Sequence, residues 1–306
     1  MSRTVSDMNK LVLIYESGTY ASSSGTGQWL GLVTNHTPTE TMGVQHIRYL
    51  SSANRNVDIS VDGPADFNGQ ITFHPQDWRA LVFALGSCID AGSPSPYTHV
   101  ISELNSNVGN AFTSGTTNPF MSFTLEDSQT SSVTGGNLVR TFNGCMADSI
   151  EISASQGEMV QCTLNYRAQN AVYSSGATTA VTAGTSRPFL WQDVKVHVPS
   201  GTVYDEVTSM SLSISNNLDA SHYLNGSRVI AAPVPLNRDY SLNLTVQATS
   251  ERSKTLYDQY FRGGSEFNIL LEVTDTVAGA GSRNCFISLS GCKLDPMEAP
   301  SLNEGV

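Results

Sequence analysis

The stretch Asp66–Ser87 reads DFNGQITFHPQDWRALVFALGS and predicts a strand that leads into a short helix. Phe67, Ile71 and Phe73 occupy alternate positions, so they share one face of the strand. Gly86 stands where a left-handed residue commonly ends a helix. The apolar residues that fall at helical spacing in between are Trp78, Leu81, Val82 and Leu85.

The composition favours a mostly β protein with two domains. A chain of 306 residues is long enough for two domains of about 150 residues each. Only 14% of the residues are charged, which is low for a helix-rich protein and common in β-sandwiches with polar turns. The net charge of -11 disfavours tight binding to a nucleic-acid backbone, because such binding requires clusters of Lys and Arg. An acidic wall would instead suit a conduit through which DNA passes without sticking.

Alternating patterns place β-strands through both halves of the chain. The first domain is predicted over residues 1–173, with a hairpin at 149–167 that turns at Gln156-Gly157-Glu158. Residues 174–187 contain few bulky side chains and are predicted to be a linker. A second domain is predicted over 188–295, and residues 296–306 are predicted to form a disordered or partner-dependent tail.

The second half repeats the pattern of the opening stretch. Asp239-Tyr240 opens a strand as Asp66-Phe67 does, and a second α-helix is predicted over Glu251–Phe261, capped by Ser250 and ended by Gly263-Gly264. Further matches occur in the same order along the chain, which favours a divergent internal duplication. These matches are Thr72 with Thr245, Arg55 with Arg228, and Asn143-Gly144-Cys145 and Asp148 with Ser290-Gly291-Cys292 and Asp295.

The lack of a targeting segment and the cysteine pattern predict synthesis and assembly in the cytosol. The N-terminal apolar run, Leu11–Ile14, is too short for a signal peptide or a membrane span. The five cysteines form no CxxC pair and are predicted to be reduced, most of them as small buried side chains. They are Cys88, Cys145, Cys162, Cys285 and Cys292.

The chain resembles the tail tube proteins of tailed bacteriophages and related viruses, especially duplicated members. The resemblance covers most of the chain and rests on three stretches that are patterns of a fold. They are the strand–helix stretch that ends in Ala84-Leu85-Gly86, the run from Phe142-Asn143-Gly144-Cys145 into Asp148–Ser155, and Met210–Asn217. Unlike the plainest family pattern, this chain has the additional hairpin at 149–167.

The resemblance implies two β-sandwich domains, each with one short flanking helix, whose sheets join into a closed β-barrel ring. It further implies homotrimeric, pseudo-hexameric rings that stack into a virion tail tube, the conduit for genome delivery. The implied partners are further copies, tail proteins at the tube ends, a tape-measure protein in the lumen, and passing DNA that is not bound specifically. The composition of residues 105–119 and 127–137 predicts polar loops, and by this resemblance both are candidate contacts between rings.

No catalytic, cofactor or metal site is predicted. The chain lacks GxSxG, HExxH, Walker and dinucleotide motifs, and its six histidines show no ligand spacing. Exposed carboxylates are predicted to be solvated charges, and three of them are candidates for facing the lumen: Asp58, Asp62 and Glu151.

Two alternatives to the tube remain open from the sequence. A tail terminator or distal tail ring protein would share the fold without polymerising. A carbohydrate-binding or adhesin β-sandwich could use exposed aromatic side chains, although Trp29, Trp78 and Trp191 are better explained by the core or by subunit contacts.

Overall fold

A computed structural model of the protein describes part of the chain, and 61% of the described residues lie in strands and 6% in helices, so the protein is mostly β. The described residues are 9–16, 20–22, 26–49, 56–57, 59–91, 98–103, 122–130, 137–199, 201–247, 256–275 and 283–295. The strands are β1 (Asn9–Tyr15), β2 (Gly27–Gln28), β3 (Leu32–Ile47), β4 (Ile59–His74), β5 (Gly86–Ala91), β6 (Thr98–Glu103), β7 (Phe123–Thr130), β8 (Asn137–Ser155), β9 (Gln161–Ala168), β10 (Asn170–Ser174), β11 (Val194–His197), β12 (Val207–Ser215), β13 (Leu218–Asp219), β14 (Val234–Pro235), β15 (Asp239–Val246), β16 (Phe267–Thr274) and β17 (Asn284–Cys292). The helical segments are α1 (Ala80–Leu85), a 3-10 turn (Trp191–Asp193) and a π-helix (Tyr257–Arg262).

The opening stretch folds as a strand and a helix. Phe67, Ile71 and Phe73 are buried on one face of β4, and α1 ends at Gly86 in the left-handed conformation, as predicted. The helix begins at Ala80, so Trp78 lies before it. Residues 80–84 are all buried and Leu85 is half-buried, so this short helix packs into the core on nearly all sides.

The chain divides into two compact units, and each is discontinuous in sequence. The first unit contains residues 1–151, 162–187 and 213–241, and the second contains 152–161, 188–212 and 242–306. Strands β8, β9, β12 and β15 therefore contribute residues to both units. The predicted similar domains, 1–173 and 188–295, stay a prediction.

In the first unit, a sheet has the order β2-β1-β7-β8-β9-β4-β3. β9 pairs with β4 from Phe67 to Phe73, and β10 continues alongside β8 from Asn143 to Val139. β8 and β9 are neighbours joined by residues 156–160. The polar loop that was predicted to begin at Asp127 begins later, because β7 remains paired with β8 as far as Thr130. Residues 131–136 and the candidate contact segment 105–119 lie outside the described residues.

In the second unit, β16 lies between β11 and β17 in an antiparallel sheet. β12 pairs with β15 on one side and with β8 on the other. The predicted second α-helix is a π-helix over Tyr257–Arg262, and its end is marked by a hydrogen bond from Gly263 N–H to the Asp258 carbonyl, 3.1 Å. Ser250 and residues 251–255 lie outside the described residues.

The predicted closed barrel is not found within one chain. Among the described residues the sheets do not close into a barrel, because the sheet of the first unit ends at β3 and that of the second ends at β17. Ring assembly therefore stays a proposal.

Candidate assembly surfaces

The first candidate surface is a two-stranded ribbon formed by the end of β3 and the beginning of β4. β9 covers β4 only from Phe67 onward, whereas β3 continues to pair with β4 as far as Ile59. We define the β3–β4 ribbon as residues 41–47 and 59–66. Four of its apolar side chains are between 46% and 51% exposed, which is a concentration typical of an interaction surface. They are Met42, Val44, Ile59 and Val61.

Arg228 joins the base of the ribbon to the segment before β14. Its Nε donates to the Gly63 carbonyl at 2.8 Å, and its own carbonyl accepts a hydrogen bond from Ala65 N–H at 2.8 Å. Its Nη1 lies 3.0 Å from the Asp62 carboxylate. These contacts fix the direction in which the ribbon leaves the sheet.

The predicted acidic residues fall on separate strands. Asp62 lies on the ribbon and is 69% exposed, but its charge is partly neutralised by Arg228. Glu151 is exposed on β8. Asp58 lies outside the described residues. Both described carboxylates, Asp62 and Glu151, are therefore accessible to solvent.

The second candidate surface consists of free strand edges. Within the described part of the chain, β3 pairs only with β4, and β17 pairs only with β16. A free edge leaves a row of backbone N–H and C=O groups available to another strand. Both edges are long, with 16 residues in β3 and 9 in β17, so each could form an extended ladder.

The free strand β17 and the covered strand β8 carry matching glycine bulges. Gly144 and Gly291 have φ values of 64° and 66° and are followed by Cys145 and Cys292. In each case one residue of the partner strand lies opposite two residues of the bulged strand, and this residue is Thr124 in β7 and Asn268 in β16. The two bulges are locally equivalent.

The helices of the two units also make matching contacts. The Phe83 ring of α1 packs on Phe123, the first residue of β7, with centroids 4.6 Å apart. Tyr260 of the π-helix packs on Phe267, the first residue of β16, at 4.7 Å. Each helix therefore places an aromatic ring on the strand that faces the glycine bulge.

A buried carboxylate organises the bulge of the first unit. Glu16 is 3% exposed and accepts hydrogen bonds from Gly144 N–H at 2.7 Å and Ala21 N–H at 2.8 Å. The hydroxyls of Ser122 and Thr124 donate to it at 2.5 and 2.7 Å. The donors come from three separate parts of the chain, so Glu16 joins them at one point.

A second polar cluster lies between β3, β7, β8 and β9. Asp127 accepts hydrogen bonds from Arg140 and from His36 Nδ1, the latter at 3.3 Å. His36 Nε2 lies 2.8 Å from the Tyr166 hydroxyl. Burial raises the pKa of Asp127, but the hydrogen bond from His36 and the charge of Arg140 outweigh it, and the pKa is lowered overall.

The lowered pKa of Asp127 predicts an acid-dependent loss of stability. We expect Asp127→Asn to reduce the free energy of unfolding by about 2 kcal/mol at pH 7, because it removes a partly buried ion pair. A carboxylate with a lowered pKa stabilises the fold above its unfolded pKa, near 3.8, and this contribution is lost as the pH falls through the folded value. Urea unfolding should therefore show a smaller difference in the free energy of unfolding between wild type and variant at pH 3 than at pH 7.

The matched control for this prediction is Asp205→Asn, since Asp205 is exposed. The control should differ from wild type by less than about 0.5 kcal/mol at both pH values. An Asp127→Asn effect of equal size at pH 7 and pH 3 would contradict the assignment.

The segment 174–187, which was predicted to be a linker, is anchored to the first unit. Thr179 donates its N–H to the buried Glu126 carboxylate at 2.7 Å, and Lys10 Nζ donates to the Thr179 carbonyl. Further along, Gln76 Nε2 donates to the Gly184 carbonyl at 3.3 Å. These polar contacts hold the segment in place although most of its residues are exposed.

A buried asparagine joins α1 to β8. Asn216 Nδ2 donates to the carbonyls of Ala84 and Ala147, both at 3.0 Å. Its Oδ1 accepts a hydrogen bond from Arg238 Nε at 2.8 Å. Asn216 therefore satisfies one of the carbonyls that the end of α1 leaves without a helical partner.

The described residues provide no arrangement for catalysis on a metal. No group of three or more His, Cys, Asp or Glu side chains among them is placed to hold a metal ion. Burial raises the pKa of Cys145 and raises that of Cys285 to about 12, so these thiols stay protonated. Cys88, Cys145 and Cys162 are buried, as expected of small core residues.

The sequence model of the phage tail tube protein family matches residues 39–304, which is most of the chain. The protein belongs to the phage tail tube family. No curated protein matches the sequence. The predicted resemblance is therefore confirmed at the level of the family.

Membership of the phage tail tube family indicates that this protein is a structural component of a phage tail. The family is structural and non-enzymatic, and it implies a component of the virion tail that assembles with itself and with other tail proteins. In the part of the tail tube family chain that the structure describes, no helix is long and apolar enough to cross a membrane.

Two important residues of this tail tube family protein were missed in the sequence. Glu16 follows an apolar strand and has the sequence context of a solvated residue at a strand end. Asn216 follows a strand in which polar and apolar residues alternate. The available signal for this site was Gly144, because its Gly-Cys motif occurs again at Gly291. The partners of both side chains lie far away in sequence, so no local pattern could identify them.

Proposed function

We propose that this protein polymerises as stacked rings into the tail tube, the conduit through which the genome is delivered. The observation that carries the proposal is the family match over residues 39–304. Three copies with two similar domains each would form a pseudo-sixfold homotrimeric ring, and a ring with an open centre can stack into a tube. The two domains are proposed to be residues 1–173 and 188–295, with 174–187 between them.

The proposed duplication draws support from local structure. β7 lies between β1 and β8, and β16 lies between β11 and β17, all in antiparallel pairs. The bulges at Gly144 and Gly291 occupy the same place in these two sets of strands. Since bulges alter strand direction and register, their coincidence with the matching helix contacts favours common descent over shared turn chemistry.

The proposed conduit is electrostatic as well as geometric. A chain with a net charge of -11 makes a wall that repels DNA, so the genome passes without specific binding. We propose that Asp58, Asp62 and Glu151 face the lumen. The tube would form in the host cytoplasm, around a tape-measure protein and with other tail proteins at its ends.

The lumen assignment predicts a gain of DNA retention on charge reversal. Tubes of the double variant Asp62→Lys and Glu151→Lys should retain short double-stranded DNA at low salt, since lysine attracts phosphate. Cosedimentation of labelled DNA with the tubes measures this, and wild-type tubes should retain at least tenfold less. The control is Glu158→Lys, at the exposed turn after β8. Equal retention by control and double variant would overturn the assignment.

Assembly is tested by light scattering and negative-stain electron microscopy of the purified full-length chain. The proposal expects rings that stack into tubes as the concentration rises. Rings that never stack would instead indicate a tail terminator or distal tail ring protein. A compact monomer at high concentration, without rings or tubes, would overturn the proposal.

A further inference from the structure

The outer edge of β12 shows how a strand is covered in this protein. β12 pairs with β15 on one side and with β8 on the other. Asn216 N–H donates to the Asp148 carbonyl at 2.7 Å, and Gln156 N–H donates to the Thr208 carbonyl at 3.1 Å. The part of β8 that covers β12 therefore lies beyond the Gly144 bulge.

β3 occupies the same position beside β4 that β12 occupies beside β15. The Thr34 hydroxyl donates to the Thr72 carbonyl at 3.1 Å, and the Thr208 hydroxyl donates to the Thr245 carbonyl at 3.2 Å. Both strand pairs also precede a helix. The difference is that β12 has a second neighbour, whereas β3 has none among the described residues.

β17 is the counterpart of β8, through the bulges at Gly291 and Gly144. Asp148 stands four positions after its bulge glycine, and Asp295 stands four positions after the other. In β8 this continuation covers β12. Leu294, which occupies the position of the buried Ala147, is 37% exposed, as expected of a residue whose neighbouring strand is not yet in place.

We propose that the chain from Lys293 onward adds as a strand to the outer edge of β3 in a second copy, as β8 adds to β12. This proposal rests on the proposed assembly into rings and identifies the contact that joins one copy to the next. The occupant is a second copy because one chain supplies both the open edge and the continuing strand, and the family implies self-assembly. Backbone hydrogen bonds supply the ladder.

The β8–β12 ladder also predicts the register. Thr245 stands 173 positions after Thr72, and Asn216 stands 173 positions after Gly43. Asn216 meets Asp148, so Asp295 is expected to meet β3 near Gly43. Because the ladder is antiparallel, Leu294 then lies opposite Val44, a 47% exposed side chain of the ribbon, and the contact buries both.

Disulfide cross-linking between copies tests the contact. Equal amounts of the Val44→Cys and Leu294→Cys variants are mixed under assembly conditions and oxidised. A covalent dimer is expected in the mixture, because paired antiparallel residues have Cα atoms close enough for a disulfide. Each variant alone should give at least tenfold less, and so should Leu294→Cys mixed with Leu224→Cys, whose cysteine replaces a fully exposed leucine.

A second pair of variants tests whether the contact drives assembly. Val44→Glu and Leu294→Glu should each lower the fraction of protein in rings at least tenfold, while the urea midpoint stays unchanged because both side chains are exposed. Leu224→Glu should form rings like wild type. Normal ring formation by both glutamate variants, together with no cross-link between the two cysteine variants, would overturn this inference and leave the proposed function standing. Absence of rings in the wild type would overturn the proposed function itself.

The double variant Val44→Cys and Leu294→Cys distinguishes the source of the strand. At high dilution it should remain reduced or form only intermolecular products. An intramolecular disulfide at high dilution would show that a chain covers its own β3 edge, which would also overturn the inference.

Discussion

Replacement of Glu16 by alanine is expected to lower the free energy of unfolding by about 4 kcal/mol. The carboxylate is buried and accepts four hydrogen bonds, two of them from the backbone of Ala21 and Gly144. Each donor left buried without an acceptor costs about 1–3 kcal/mol, and the two hydroxyls can rotate to recover only part of this. Urea unfolding followed by circular dichroism measures the change.

Two variants make the Glu16 prediction specific. Glu16→Gln keeps the shape and one acceptor oxygen, so it should cost about 2 kcal/mol, less than alanine. Glu158→Ala, at the exposed turn after β8, should change the free energy of unfolding by less than about 0.5 kcal/mol. If Glu16→Ala were as mild as Glu158→Ala, the carboxylate would not be the organising contact of the bulge.

Gly144→Ala is expected to cost about 3 kcal/mol, for two separable reasons. The φ of 64° is in the left-handed region, which costs a residue with a Cβ about 1–2 kcal/mol. The added Cβ would also lie 2.7 Å from Tyr20 Cζ, and such overpacking costs about 1–3 kcal/mol. Tyr20 cannot withdraw freely, because its hydroxyl donates to the Gly144 carbonyl at 2.9 Å.

Gly291→Ala is the matched control for Gly144→Ala. Gly291 has nearly the same φ, but the nearest atom to an added Cβ is Glu266 Oε2 at 3.8 Å. It should therefore cost only the conformational part, about 1 kcal/mol. In the Tyr20→Ala background the extra cost of Gly144→Ala should disappear. Equal costs at the two glycines in the wild-type background would show that the contact with Tyr20 carries no strain.

Local patterns were reliable wherever the neighbours along the chain decide the structure. The alternation of Phe67, Ile71 and Phe73 predicted the buried face of β4, and Gly86 predicted the end of α1, because both depend on backbone geometry within a few residues. The second helix was less well predicted. Residues 257–262 have an amphipathic pattern, but a pattern of side chains does not distinguish the hydrogen bonding of an α-helix from that of a π-helix.

Contacts between distant residues could not be predicted in this way. Asp127 was expected to begin a loop, yet His36 and Arg140 hold it in β7. Residues 174–187 have the composition of a linker, yet Thr179 is bound to Glu126, 53 residues away. A polar residue can be solvated or buried with a partner, and only the fold brings the partner into reach.

The sequence by itself determined the β class and the buried face of the opening strand, because these depend on composition and on short-range periodicity. It also determined the membership of the phage tail tube family, through the match to the family over residues 39–304. The tertiary structure alone decided which polar residues are buried, which strands β12 lies between, and which strand edges are left open. These features depend on contacts between residues far apart in the sequence, from 37 positions for Thr208 with Thr245 to 128 positions for Glu16 with Gly144. A carboxylate at the end of a strand has the same local sequence whether water or four buried donors surround it.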